Sequence, residues 1–215
     1  MQGGTPKKPA ASARRGRIDG QRRREELLDA ALRCFDRKGV LGVGIEDVRR
    51  EAGASPSSVY HQFADLEELM LALLVRVFTE LFAHLAARVG RARTAEGAVR
   101  ALVEGHLEWI AAHEAEGRFM YQAMTLEVGG LGKSAHRVLA EAKAEALRPL
   151  EAHLAPFIAR GELPSWPPAL LDVVLLGPSH EALRRWLGGA EELDPERLRA
   201  MLPTLAWRSI AKSKP

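Results

Sequence analysis

The sequence predicts an all-α protein: a small N-terminal domain of three helices, a long fourth helix, and a larger helical body. Two observations carry this. Apolar residues recur at three- and four-residue spacing through nearly every segment, the period of a helix with one buried face. Glycine and proline fall between those segments, and no stretch alternates as a half-buried strand would.

Taken in order, residues 1–20 mix Gly, Pro, Ser, Ala and Arg without apolar periodicity, which predicts a disordered basic tail. Leu27, Leu28, Ala31, Leu32 and Phe35 then define a first helix, closed by Lys38 and Gly39. Ile45, Val48 and Ala52 mark a two-turn second helix, broken at Gly53-Ala54. Ser55 is a suitable N-cap, and Pro56 occupies the first helical position, where its missing N–H costs nothing. Val59 and Phe63 share one face of the short helix that follows. Asp65 caps the next, with Glu67 and Glu68 in its first turn. This fourth helix has the clearest stripe: Leu66, Leu69, Met70, Leu73, Leu74, Val77, Phe78, Leu81, Phe82 and Leu85. At 1.5 Å per residue, 66–88 spans about 35 Å, enough to join a small module to a larger body.

The body reads as helices near 95–115, 118–127, 134–160, 168–188 and 195–212. Pro149, Pro156, Pro178 and Pro203 fall inside them, predicting kinks or breaks. The domains expected are therefore a tail (1–20), a domain of short helices (21–66, with the motif at 44–63) and a C-terminal helical body (67–213), to which the resemblance given below adds effector binding and dimerisation.

Composition narrows the class. Apolar residues make up 47% of the 215, enough for a sizeable core, and the mean hydropathy of −0.15 is that of an ordinary soluble chain. The longest uninterrupted apolar runs, such as Met70 to Val75, are too short for a bilayer, and the N-terminus lacks an apolar signal core. A single cysteine, Cys34, excludes an intrachain disulfide and fits packing better than redox sensing. Together these predict a cytoplasmic protein without membrane contact. The net charge of +3 is unevenly placed: residues 1–24 hold eight Lys or Arg and one Asp, leaving the rest at −4. A polyanion met by that end is one reading, a solubilising tail the other.

Residues 45–63 form two short helices joined by a glycine-containing turn, a helix-turn-helix. Such a motif holds its second helix on the domain by one face and offers the other to the major groove of duplex DNA. Val59 and Phe63 supply the packing face. Ser55, Ser57, Ser58, Tyr60, His61 and Gln62 supply the hydroxyls, imidazole and amide that reach phosphates or base edges.

The run Glu46-Asp47-Val48, then Ala52-Gly53-Ala54-Ser55-Pro56-Ser57-Ser58-Val59-Tyr60-His61-Gln62-Phe63, then Glu67-Glu68-Leu69 resembles the DNA-binding signature of the TetR (tetracycline-repressor) family. The resemblance covers residues 22 to about 80. It implies a dimeric transcriptional regulator, in the common case a ligand-responsive repressor on a palindromic operator. It also implies that the last two helices pair with those of a second copy. Three positions depart from the family pattern: Pro56 and Leu66 stand where lysine is common, and Gln62 where an aromatic residue or His is. Acids outnumber Lys and Arg from Glu25 to Asp65. Arg14, Arg15, Arg17 and Arg22 to Arg24 are therefore expected to compensate, tracking phosphates or entering the minor groove.

Helix 168–188 is apolar nearly all round, so it needs cover on every side. Leu171, Val174, Leu175, His180, Leu198, Leu202 and Leu205 are the expected dimer contacts, with core packing inside one chain the alternative. An apolar pocket with a few polar groups suits a small-molecule effector. His106, Trp109 and His113 on one helix face, with Phe119, Tyr121 and Met124 on the next helix, are its candidate lining; plain core is the competing reading. His106 and His113 lie about 10 Å apart along the helix axis, which gives no metal-ligand spacing and no metal or other cofactor is expected. There is no P-loop, dinucleotide-binding loop or nucleophile elbow, so an enzyme is not expected. An effector-independent architectural DNA-binding protein stays as the alternative.

Overall fold

The structure is a computed structural model that describes residues 10–130 and 133–211. Ten α-helices and two single 3-10 turns make up the described residues, with no strand among them. Two compact units divide between Ala72 and Leu73, six residues beyond the boundary expected at 66/67.

The first unit contains α1 (Ala10–Lys38), α2 (Ile45–Glu51), α3 (Pro56–Gln62) and the first turns of α4 (Leu66–Val89). α1 starts at Ala10, inside the stretch expected to be disordered. The tail lacks apolar periodicity, but periodicity reports burial; the Ala and Arg of 10–17 are strong helix formers without it. Residues 1–9, and the side chains of Arg14, Arg15 and Arg17, lie outside what is described. α1 ends where Gly39 takes φ 71° and donates its N–H to the Phe35 carbonyl. Leu27, Leu28, Ala31, Cys34 and Phe35 of α1 pack with Val48, Val59, Phe63 and Leu69, all nearly inaccessible. Burial pushes the Cys34 thiol pKa up, with Glu51 adding to the shift.

A lattice of ion pairs ties α1 to α2. Glu51 accepts from Arg33 and Arg37, and Asp47 accepts from Lys38 at 2.8 Å and from Arg50 at 2.9 Å. The Lys38 ammonium and the Gly44 N–H hold the Asp47 carboxyl down to about 2. Between α2 and α3, Gly53 adopts φ 56°, so that its N–H reaches the Arg50 carbonyl and the Ala54 N–H reaches that of Arg49. These two bonds close a left-handed C-cap that glycine adopts at little cost.

The second unit holds the rest of α4, then α5 (Ala95–Ala112), α6 (Glu114–Gly130), α7 (Lys133–Ala159), α8 (Pro168–Leu175), α9 (Gly177–Leu187) and α10 (Pro195–Ile210). By length and composition α4 could cross a bilayer, contrary to what its short uninterrupted runs suggest. Its stripe from Leu73 to Leu85 is buried in protein, however, as in a core helix. α10 lies along α5: Arg100 donates to Thr204 Oγ1 at 2.8 Å, and Arg199 meets Glu108 at 2.7 Å. Glu108 also holds Arg88 of α4 at 3.0 Å. α7 runs unbroken through Pro149 and Pro156, and α10 through Pro203. The expected helix 168–188 instead divides at Leu176, because Pro178 has no N–H to donate back along it.

Candidate functional site

α3 presents three faces, and they sort the expected DNA-contacting residues. Val59 and Phe63 turn inward, each 1% exposed. Ser58 and Gln62, one turn apart, face α1: Arg23 Nε donates to Ser58 Oγ at 3.1 Å, and a Cβ on Gly20 would lie 3.9 Å from the Gln62 amide nitrogen. Ser57, Tyr60 and His61 form the open face, with Tyr60 54% exposed. Ser55 is committed as N-cap, its Oγ accepting the Ser58 N–H at 3.2 Å while lying 3.1 Å from Ser57 Oγ. Four of the six candidates are thus exposed, Ser55 among them with its hydroxyl spent on the cap, and sequence spacing alone missed the α1-facing side because α1's arginines were assigned outward.

Those arginines differ from expectation. Arg23 also pairs with Glu26 at 2.8 Å. Arg24 donates to the Gln62 carbonyl at 3.1 Å and lays its guanidinium 4.3 Å from the Phe63 ring centre. Of the three, Arg22 extends into solvent, 3.7 Å from Glu26.

In the second unit the expected effector residues meet a residue assigned to the dimer contact. The Ser179 hydroxyl donates to the Leu176 carbonyl at 2.8 Å, so its oxygen accepts from His106 Nδ1 at 2.9 Å. Burial, with His180 adding to it, holds the His106 pKa well below the ordinary histidine value. A neutral ring protonated on Nδ1 has a bare Nε2, which accepts the Tyr121 hydroxyl at 3.4 Å. The Tyr121 oxygen is then left to accept from His180 Nδ1 at 3.3 Å, and His180 Nε2 lies 3.6 Å from Asp172. Burial raises the Tyr121 phenol pKa. One directed chain of polar groups therefore runs from the interior at Ser179 to a half-exposed edge at His180 and Asp172.

The remaining candidates disperse. Trp109 and Phe119 are core, 4% and 1% exposed, and Met124 sits at the surface. His113 stacks on Trp109 with ring centres 4.5 Å apart and bonds back to the Trp109 carbonyl, away from His106. His84, not anticipated, places Nε2 in the interior with no hydrogen-bond partner among the described residues, and burial lowers its pKa. No group of three potential metal ligands occurs among the described residues.

The expected dimer contacts differ in exposure. Leu198 and Leu202 are buried where α10 packs on α5, Leu175 of α8 is buried too, and Leu171, Val174 and His180 are half-buried. Only Leu205 of the seven is open, and other exposed apolar residues of these helices are Met201 on α10 and Leu170 and Val173 on α8.

Residues 27–73 match the sequence profile of bacterial regulatory proteins of the tetR family. That span takes in the whole helix-turn-helix with the C-terminal part of α1 and the first turns of α4. The chain's helix-turn-helix region is thus similar to that of the TetR family. Over 81 residues it is 36% identical to the HTH-type transcriptional regulator BetI of Brucella anthropi, covering 38% of this chain and 42% of that protein. Over 74 residues it is 38% identical to the regulator AqdR of Rhodococcus erythropolis, covering 34% and 36%. The chain thus aligns with about two fifths of the length of the curated relatives it matches. Solved TetR-family structures share the fold over nearly the full length. A transcription regulator from Shewanella sp. PV-4 superposes with a TM-score of 0.69 at 21% identity, over 89% of this chain and 99% of that one. FadR of Bacillus subtilis, solved in complex with stearoyl-CoA, gives 0.68 at 16% identity, over 85% and 96%. These likenesses are to regulators rather than to enzymes.

Proposed function

We propose that the chain is a cytoplasmic DNA-binding transcriptional regulator of the TetR family that holds a palindromic operator as a homodimer. The observation that carries the reading is the open face of α3: Ser57, Tyr60 and His61 stand clear on a short helix anchored by Val59 and Phe63. A hydroxyl, a phenol and an imidazole can bond phosphates and base edges of a duplex at that spacing. One such helix reads few base pairs, so a twofold pair is needed for a usable site. Selection from a random duplex pool should return a palindrome. Tyr60→Ala should weaken binding to all duplexes by about tenfold with an unchanged melting temperature, and His61→Ala should relax the preferred sequence. Wild-type binding by both variants would remove α3 from the interface.

The second unit is read as the effector domain of a repressor. Its support is the directed chain Ser179–His106–Tyr121–His180–Asp172, which places polar groups among apolar helices, as a small-molecule site requires. The stearoyl-CoA held by the fold neighbour makes acyl-CoA thioesters a reasonable first class to screen. An effector that binds the native protein raises its melting temperature and releases DNA. If no compound class does either, the effector-independent architectural reading takes its place.

A further inference from the structure

Two arginines of α1 are spent on α3. A helix ends with carbonyls that have no partner inside it, and its C-terminus carries partial negative charge. Gln62 is the last residue of α3, and its carbonyl is one of those groups. Arg24, from the far end of a 38-residue separation, donates to it and at the same time stacks over Phe63, the residue that anchors the helix. One planar cation therefore closes the end of α3 and clamps the ring beneath it. Arg23 grips the same helix one turn earlier, at Ser58. Both side chains are only partly exposed, whereas Arg22 beside them is largely in solvent.

We propose that Arg24, seconded by Arg23, is a positioning residue: it fixes the pitch and roll of α3 on the first unit, and so sets sequence preference without contacting DNA. α3 has only seven residues, too few to hold its own orientation, since short helices draw their stability from tertiary packing. A small rotation of α3 moves Tyr60 and His61 off their targets while leaving the charge of the domain unchanged.

The inference rests on α3 being the DNA-reading helix, and the two claims fail differently. The test uses the full-length protein, its selected palindrome and a scrambled duplex of equal length. Affinities are measured across a salt series for wild type, Arg24→Ala and Arg24→Lys. A wild type that prefers neither duplex defeats the reading of α3. Given that preference, positioning predicts that Arg24→Ala loses about tenfold in preference for the palindrome. The slope of log affinity against log salt stays at the wild-type value. A phosphate contact predicts the reverse: preference is retained, and the slope falls by about 0.9 per subunit. Arg24→Lys keeps the charge but not the planar fork. Positioning predicts a partial loss of preference for it, and a phosphate contact predicts none, so the lysine variant decides the matter should the alanine variant not fold. Mere loss of stability would lower the folded fraction and so weaken both duplexes alike, leaving the preference unchanged. A fallen slope in Arg24→Ala, or wild-type preference in Arg24→Lys, overturns the proposal.

Discussion

His106 is fully buried, and its proton sits on Nδ1 because the Ser179 hydroxyl is already committed to the Leu176 carbonyl. The unfolded chain's imidazole takes up a proton near pH 6.5, whereas burial keeps the folded one neutral well below that. Below about pH 6.5 the unfolded state therefore binds more protons, and folding stability falls as pH falls, by at most about 1.4 kcal/mol per pH unit from this group. The melting temperature should drop between about pH 7.5 and 5. His106→Asn, which can still donate to Ser179 but does not titrate, should drop less. Equal slopes would exclude this ring. At this scale the sequence was partly legible. The spacing of His106, Tyr121 and Met124 marked the right helices, but His180 lies 59 residues from Tyr121, and nothing local predicts that bond. On α3, Ser57, Tyr60 and His61 face outward as expected, and Ser58 and Gln62 do not. Ser58 was taken as outward because Arg23, which bonds its hydroxyl, sits more than thirty residues away.

At the scale of elements, helices declared themselves where apolar periodicity and caps agreed. α4 was expected over 66–88 and spans Leu66–Val89; α3 opens at Pro56 with Ser55 as its cap, as read. Divergence came where one signal stood alone. The proline-rich body helices split at Pro178 yet continue through Pro149, Pro156 and Pro203, because tertiary packing decides whether a broken backbone bond is tolerated. The turn between α2 and α3 depends on Gly53 at φ 56°. Gly53→Ala meets no neighbouring atom, so its penalty is backbone strain alone, about 1 kcal/mol. A lowered denaturation midpoint for the first unit, with the second unit's unchanged, is the expected result. Ser55→Ala should cost a similar amount by removing the cap to the Ser58 N–H.

At the scale of the whole molecule, the all-helical architecture followed from composition and period, and the likeness to the TetR DNA-binding region from one short motif. The face for the proposed self-association did not. Amphipathicity shows which residues are apolar, but which of them the chain covers itself depends on α10 lying against α5. Leu170, Val173, Met201 and Leu205 are left between 44% and 64% exposed, and apolar side chains so open on two helices suit a second copy of the chain. Met201→Glu with Leu205→Arg should convert a dimer into a folded monomer. Sedimentation velocity reads the mass, and an unshifted mass would remove this face from the contact.

The buried thiol described in the first unit has a practical corollary. Cys34 is the sole cysteine and lies before Ala72, while all four tryptophans, Trp109, Trp166, Trp186 and Trp207, lie after Leu73. Nature has thus installed separate reporters in the two halves. Alkylation of Cys34 needs the N-terminal half to open, and indole fluorescence responds to the C-terminal half. Along one denaturant series, coincident midpoints would mean a single cooperative transition, and staggered ones two independently melting bodies.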